Sequence, residues 1–227
     1  MSTKYELIRP RAVILDCLRS EWPYLLSNYD TKATSATKGV DPLAWNPNVT
    51  EDNIHPAGVI SLLRECDYNS PDLLAPLFYS LSTLVSKFTL PPTGHNISGI
   101  NAADNEHLII GIHMLRCLHV SSSQAPVHVV AVVRPQPDND SHRSILCLYE
   151  LLRYWHFIAR PVLFDTMCDP ILNWAIMIRV ASASGIGGNV GKAGEALCNN
   201  CKRAVLTYIS VTRQKIWDSL PEVFGLV

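Results

Sequence analysis

An all-α fold is what this sequence predicts, and three observations carry that expectation. The last thirty or so residues hold an uninterrupted helical pattern, with Leu197, Cys201, Ala204, Val205, Tyr208, Ile209, Thr212, Ile216 and Leu220 falling on one stripe. Upstream, several apolar segments open on Ser, Asn or Pro at positions where helices begin. The one β-branched run, 126–133, is short and isolated; it is open to reading as a short strand near 127–133 or as a buried helical segment. The expectation is an irregular bundle of about seven to eight helices in a single domain, 1–227.

Taken in order, Tyr5 to Leu18 carries Leu7, Ile8, Ala12, Ile14, Leu15 and Leu18 at helical spacing, with Pro10 early enough for a first turn. Glu21–Trp22–Pro23 opens a second, short helix through Tyr29, and Trp22 is its large anchor. The stretch 31–53 is rich in Thr, Ser, Asn, Asp and Pro without periodicity, which predicts a long polar loop touching the core through Trp45. His55–Pro56 starts a third helix, Ala57 to Cys66; Ser70 caps a fourth, which Pro71 begins and which runs through Lys87. Asn101 or Ser98 caps a fifth, Ala102 to His119. Two more follow, Ser141 to Ala159 and Pro170 to Ser182, and 184–195 is a Gly-rich linker before the closing helix.

On that closing helix Lys202, Arg203, Ser210, Arg213, Gln214 and Lys215 take the side opposite the stripe, as a solvated face would. Pro221 disfavours helical geometry at Leu220, so the helix is expected to stop just before it. Trp217, Leu220 and Phe224 then pin the tail to the body.

At 227 residues the chain is long enough to bury a sizeable core. Its apolar fraction of 48% is ordinary, but its charged fraction of 17% lies below the usual quarter or so. Such a surface is expected to be covered by a partner or by further sequence. The formal net charge of −1 offers no field to draw in nucleic acid or an anionic membrane. No apolar run approaches the roughly 18–20 residues a membrane span needs, and 1–6 lacks the apolar core of a signal peptide. Seven cysteines, an odd number, then argue for a reducing, intracellular setting with thiols rather than disulfides. Cys17, Cys66, Cys117 and Cys168 sit on helical apolar faces or helix ends and are expected buried.

Few motifs carry chemistry. His107, His113 and His119 recur every six residues, which turns successive side chains by about 240° on a helix, so they do not converge on one ion. Asp104 and Glu106 suit the positive end of that helix's dipole. The glycines from Gly185 fail as a phosphate loop, because Ile186 and Ala193 stand where Gly and a hydroxyl are required. They fail as a dinucleotide loop because Val190 stands at the third glycine. Lys202, Arg203, Arg213 and Lys215 lack interleaved aromatics, so no nucleic-acid partner is expected. Cys198 and Cys201 have the knuckle spacing of a zinc half-site, or they merely start a helix with buried thiols.

Four stretches together resemble the BTB/POZ domain-containing proteins abundant in mushroom-forming fungi. They are Lys4-Tyr5-Glu6 with Ile8-Arg9 and Glu21-Trp22-Pro23, the helix Pro56–Asp67, the segment Ala75-Pro76-Leu77-Phe78-Tyr79-Ser80-Leu81, and the closing C-x-x-C helix with its Trp217–Leu226 tail. The resemblance covers nearly the whole chain and places it C-terminal to the BTB fold itself, which is missing here. It implies an intracellular, non-enzymatic, adaptor-like protein–protein interaction module. Its partners would be other proteins, among them cullin-type ligase components where a BTB fold is present. It also supplies candidates to complete the half-site: relatives carry a cysteine pair near His142 and Cys147, so one structural zinc would gather His142, Cys147, Cys198 and Cys201. No other cofactor and no catalytic residue is expected. The rival reading is a small zinc-dependent or Cys/His thiol hydrolase, since Cys and His are plentiful and such pairs are spatial rather than sequential.

Overall fold

The structure is a computed structural model, and it describes residues 8–36, 54–85, 99–123, 144–159, 163, 169–182 and 198–227. Nine α-helices and one π-helical turn account for nearly all of these residues, and no strand occurs among them. The all-α expectation holds. The helices are α1 (Ile8–Glu21), α2 (Leu26–Ala36), α3 (Pro56–Glu65), α4 (Pro71–Val85), α5 (Ala102–Ser123), α6 (Ser144–Tyr154), α7 (Pro170–Ser182), α8 (Asn199–Asp218) and α9 (Leu220–Val223). The π turn Trp155–Ala159 continues α6. The run 127–133, Trp45 and the Gly-rich linker 184–195 lie outside the described residues.

The long polar loop begins later than expected. Helix α2 continues through Ala36, so 31–36 is helical although rich in Thr and Ser. Thr31 Oγ1 donates to the Ser27 carbonyl at 2.9 Å, one turn back, which takes up a hydroxyl that would otherwise compete with the backbone ladder. The remainder, 37–53, is outside the described residues.

The chain divides into two compact units, where the sequence suggests one domain. The first holds the described residues up to Gly111 together with Leu220–Val227; the second is Ile112–Ser219.

In the first unit, α3 and α4 pack together and α9 packs on α4. Helix α4 is buried nearly all round through Leu73, Leu74, Ala75, Leu77, Phe78, Tyr79 and Leu81, as a helix without a polar face must be. Helix α3 opens with His55 Nδ1 accepting the Ala57 N–H at 3.3 Å and with Pro56 at its first position. It closes on Asp67, whose φ of 54° is left-handed. The Asp67 N–H donates to the Arg64 carbonyl and the Tyr68 N–H to the Leu63 carbonyl, so the last carbonyls are satisfied.

The tail uses the same device. Ser219 ends α8, Pro221 sits in the first turn of α9, and Gly225 takes a φ of 61°. The Leu226 N–H then donates to the Pro221 carbonyl at 2.8 Å and the Gly225 N–H to the Glu222 carbonyl at 3.0 Å. This reversal holds Phe224 fully buried and stacked on Phe78, with ring centroids 5.6 Å apart. The Cδ1–Cε1 edge of the Phe224 ring lies against Gly111. A Cβ there would stand 3.0 Å from Phe224 Cγ and closer still to Cδ1 and Cε1.

A charged pair fixes the start of α5. Asn101 caps the helix, its Oδ1 accepting the Asp104 N–H at 2.8 Å, while its Nδ2 donates to Asp104 Oδ2 at 2.7 Å. Asp104 is buried, and Arg64 of α3 donates to it from Nη2 at 2.7 Å and from Nε at 3.0 Å. Arg64 also donates to Asn69. The dipole accounts for only part of why an acid stands here. Its main partner is an arginine forty residues earlier.

In the second unit, α7 and α8 form the principal packing. Helix α8 buries Cys201, Val205, Ile209, Thr212, Ile216 and Trp217, close to the predicted stripe. Each aliphatic side chain so buried contributes about 1.5–3 kcal/mol. Arg213 departs from expectation. It is buried rather than solvated, because its Nε reaches the Ile171 carbonyl at 2.9 Å and its stem fills the α7–α8 seam. Trp22, Trp217, Leu220 and Phe224 are all buried.

Gly111→Ala is expected to destabilise the protein by about 1–3 kcal/mol or more, since the methyl overlaps a ring stacked on Phe78. Phe224→Ala should cost about 3–5 kcal/mol. In the Phe224→Ala background the Gly111→Ala cost should vanish or change sign, and urea unfolding of the four proteins checks this coupling. An equal Gly111→Ala cost in both backgrounds would show that the ring does not set it.

Candidate functional site

Three places hold chemistry or surface that a function would use. The first is the start of α8. Cys198 is the residue before the helix, in extended conformation (φ −64°, ψ 160°), and its Sγ accepts the Cys201 N–H at 3.5 Å. This is the geometry of a helix-capping side chain with sulfur in place of the usual oxygen. Cys201 is buried and Cys198 is half-buried. The first turn of α8 carries no acidic residue, and Lys202 and Arg203 follow at once. His142 lies outside the described residues, and Cys147 stands on α6 with its side chain outside them. Among the described residues no three His, Cys, Asp or Glu side chains gather as metal ligands would.

The second place is the outward face of α5. The buried stripe of this helix is Asp104, Leu108, Gly111, Leu115, His119 and Ser123, two thirds of it polar or glycine. Its outward side carries Ile109 (61% exposed), Ile110 (51%) and Met114 (44%), with Glu106, His113 and Cys117 exposed beside them. The helix is thus partly apolar where it meets solvent. Cys117 and His113 touch, Sγ to Nε2 at 3.6 Å, one turn apart on this open surface. Contrary to expectation, Cys117, Cys66 and Cys17 are exposed. Cys66 caps α3 at its turn into Asp67, Cys17 flanks the inward pair Leu18 and Trp22, and Cys117 faces away from the stripe. Cys168 is outside the described residues.

The third place is a buried polar and aromatic cluster in the second unit. His119 Nε2 lies 2.7 Å from the Leu163 carbonyl, which fixes the proton on that nitrogen, and Asn173 Nδ2 donates to the same oxygen at 3.2 Å. Trp174 stands edge-on to His119, and Trp155, Trp174 and Tyr208 meet pairwise at 5.9–6.5 Å. Trp155 Nε1 donates to the Ser123 carbonyl at 2.9 Å and Tyr208 to the Ser122 carbonyl at 2.8 Å, so the ring polar atoms cap the last turn of α5. Burial holds the His119 pKa below its ordinary value, against the Leu163 hydrogen bond and the Asp169 charge, which favour the proton. Burial also pushes the Tyr154 phenol up.

The three helical histidines do occupy three settings: His107 beside Gly225, His113 on the surface, His119 in the core. The buried pair Arg64–Asp104, the buried Arg213 and the His119 cluster were not found from sequence, since each depends on a residue far along the chain. No described helix is long and apolar enough to cross a membrane. No family model, curated protein or solved structure matches the chain.

A histidine held neutral in the fold loses stability for the protein in acid. The unfolded chain takes up the proton near pH ~6.5, whereas the folded chain takes it up only lower, so the contribution is complete above that value and falls as pH drops through it. Unfolding free energies at pH 7.5, 6.5 and 5.5 should decline less steeply in His119→Gln, whose amide still donates to the Leu163 carbonyl. An unchanged slope would show that His119 does not link acid to unfolding.

Proposed function

We propose that this chain is a non-enzymatic protein-interaction module, and that it meets its partner through the outward face of α5. The observation that carries the proposal is the run of exposed apolar side chains Ile109, Ile110 and Met114 on a helix whose inner stripe is partly polar. Keeping such side chains in water forfeits about 25 cal/mol per Å², which a partner covering them recovers. The low charged fraction of 17% agrees with a surface meant to be covered. The resemblance to the region following a BTB fold supports an intracellular adaptor, with cullin-type ligase components as partners of a form that carries that fold. Among the described residues the exposed Cys117–His113 contact is the nearest thing to a thiol hydrolase dyad, and it stands on an open helix face where no third described group orients the imidazole.

The test is a comparison of the wild-type chain with Ile110→Asp/Met114→Asp, matched for helicity by circular dichroism. Cross-linking followed by quantitative mass spectrometry should show partners cross-linked from the α5 face in the wild type, reduced at least tenfold in the variant. An identical set of cross-linked proteins for both would remove this face from the proposal. A companion chain with a BTB fold fused upstream should gain cullin binding measurable by calorimetry.

A further inference from the structure

We infer that Cys198 and Cys201 form a thiol–disulfide exchange pair, with Cys198 the attacking thiol and Cys201 the resolving one. Three features of the place support this beyond the spacing of the two residues. The Cys198 sulfur stands 3.5 Å from the Cys201 nitrogen and accepts its N–H, so it is already turned back over the first turn toward the second cysteine. That turn places residues three apart within the roughly 4.4–6.8 Å between α-carbons that a disulfide spans, so the bond closes without unwinding α8. The two thiols differ in access: Cys201 is 1% exposed and Cys198 half-buried, so an outside disulfide reaches one sulfur and not the other.

The oxidant is a low-molecular-weight disulfide, and oxidised glutathione is the probe. The Cys198 thiolate attacks one glutathione sulfur, the S–S bond breaks, and one glutathione thiolate leaves. Cys201 then gives up its proton and attacks the Cys198 sulfur of the mixed disulfide, and the second glutathione thiolate leaves. One disulfide is reduced to two thiols, and the protein loses two electrons and becomes the Cys198–Cys201 disulfide. The exchange removes the Cys198 cap from α8 and replaces it with a covalent clasp over the same turn.

The full chain is equilibrated in glutathione buffers of increasing oxidised fraction, quenched with an alkylating agent and digested for mass spectrometry. The expected result is a single two-electron transition between the dithiol and the 198–201 disulfide, while Cys17 and Cys66 stay thiols or carry glutathione alone. Cys201→Ser should trap glutathione on Cys198, and Cys198→Ser should leave Cys201 unmodified in folded protein. The wild-type titration stands whether or not the variants fold. The inference is overturned if no 198–201 disulfide forms across the series. It is equally overturned if the purified chain holds one zinc per molecule whose loss is required before either thiol reacts, since the pair is then half of a metal site.

Discussion

The first unit depends on a glycine remaining bare. Gly111 lies on the buried side of α5, and the Phe224 ring occupies the space that any side chain would fill. That ring is stacked on Phe78 and delivered by a turn that Pro221 and the left-handed Gly225 make possible. Five positions from three separate parts of the sequence must therefore agree before α4, α5 and the tail close on one another. The tail's Trp-x-x-Leu-Pro-x-x-Phe-Gly-Leu pattern thus has a mechanical meaning. Pro starts a last turn, Phe is its payload, and Gly reverses the chain so that the payload points inward.

Much of the fold was legible because helices announce themselves locally. The stripe on α8, the start of α4 at Pro71 and the stop before Pro221 follow from spacing and from proline, and these stand within a few residues of their expected places, whereas α2 runs on to Ala36. Helix α7 spans the predicted Pro170–Ser182. What was not legible is the inner face of α5. Its stripe of Asp104, Gly111, His119 and Ser123 among leucines carries no strong apolar period, and the residues that look buried, Ile109 and Ile110, are the exposed ones. Each polar member is buried because a distant group meets it: Arg64 for Asp104, the Leu163 carbonyl for His119. Periodicity reports local amphipathicity and is silent on such partners.

The same limit explains Arg213. A basic residue beside a cationic face reads as solvated, yet its neighbours Ile209, Ile216 and Trp217 carry it into the seam, where a carbonyl of α7 accepts its Nε–H. At the other end of α8 the sequence left two readings of the cysteine pair, a zinc half-site or a helix start with buried thiols, and the capping contact at Cys198 suits a metal as well as the disulfide chemistry inferred above. Both begin from a sulfur held at a helix N-terminus. They differ in whether further ligands arrive or an outside disulfide does.

The first unit is interrupted in sequence: Leu220–Val227 belongs to it, and the whole of Ile112–Ser219 comes between. A ribosome adding about 5–20 residues per second delivers the second unit's residues before it delivers Phe224. During that interval of several seconds the bare side of Gly111 and one face of Phe78 have nothing to pack against. Synthesis therefore imposes an order on assembly, in which the unit begun first is completed last. A nascent chain caught between the two stages carries an unfilled aromatic slot, a natural handle for the cell's folding helpers.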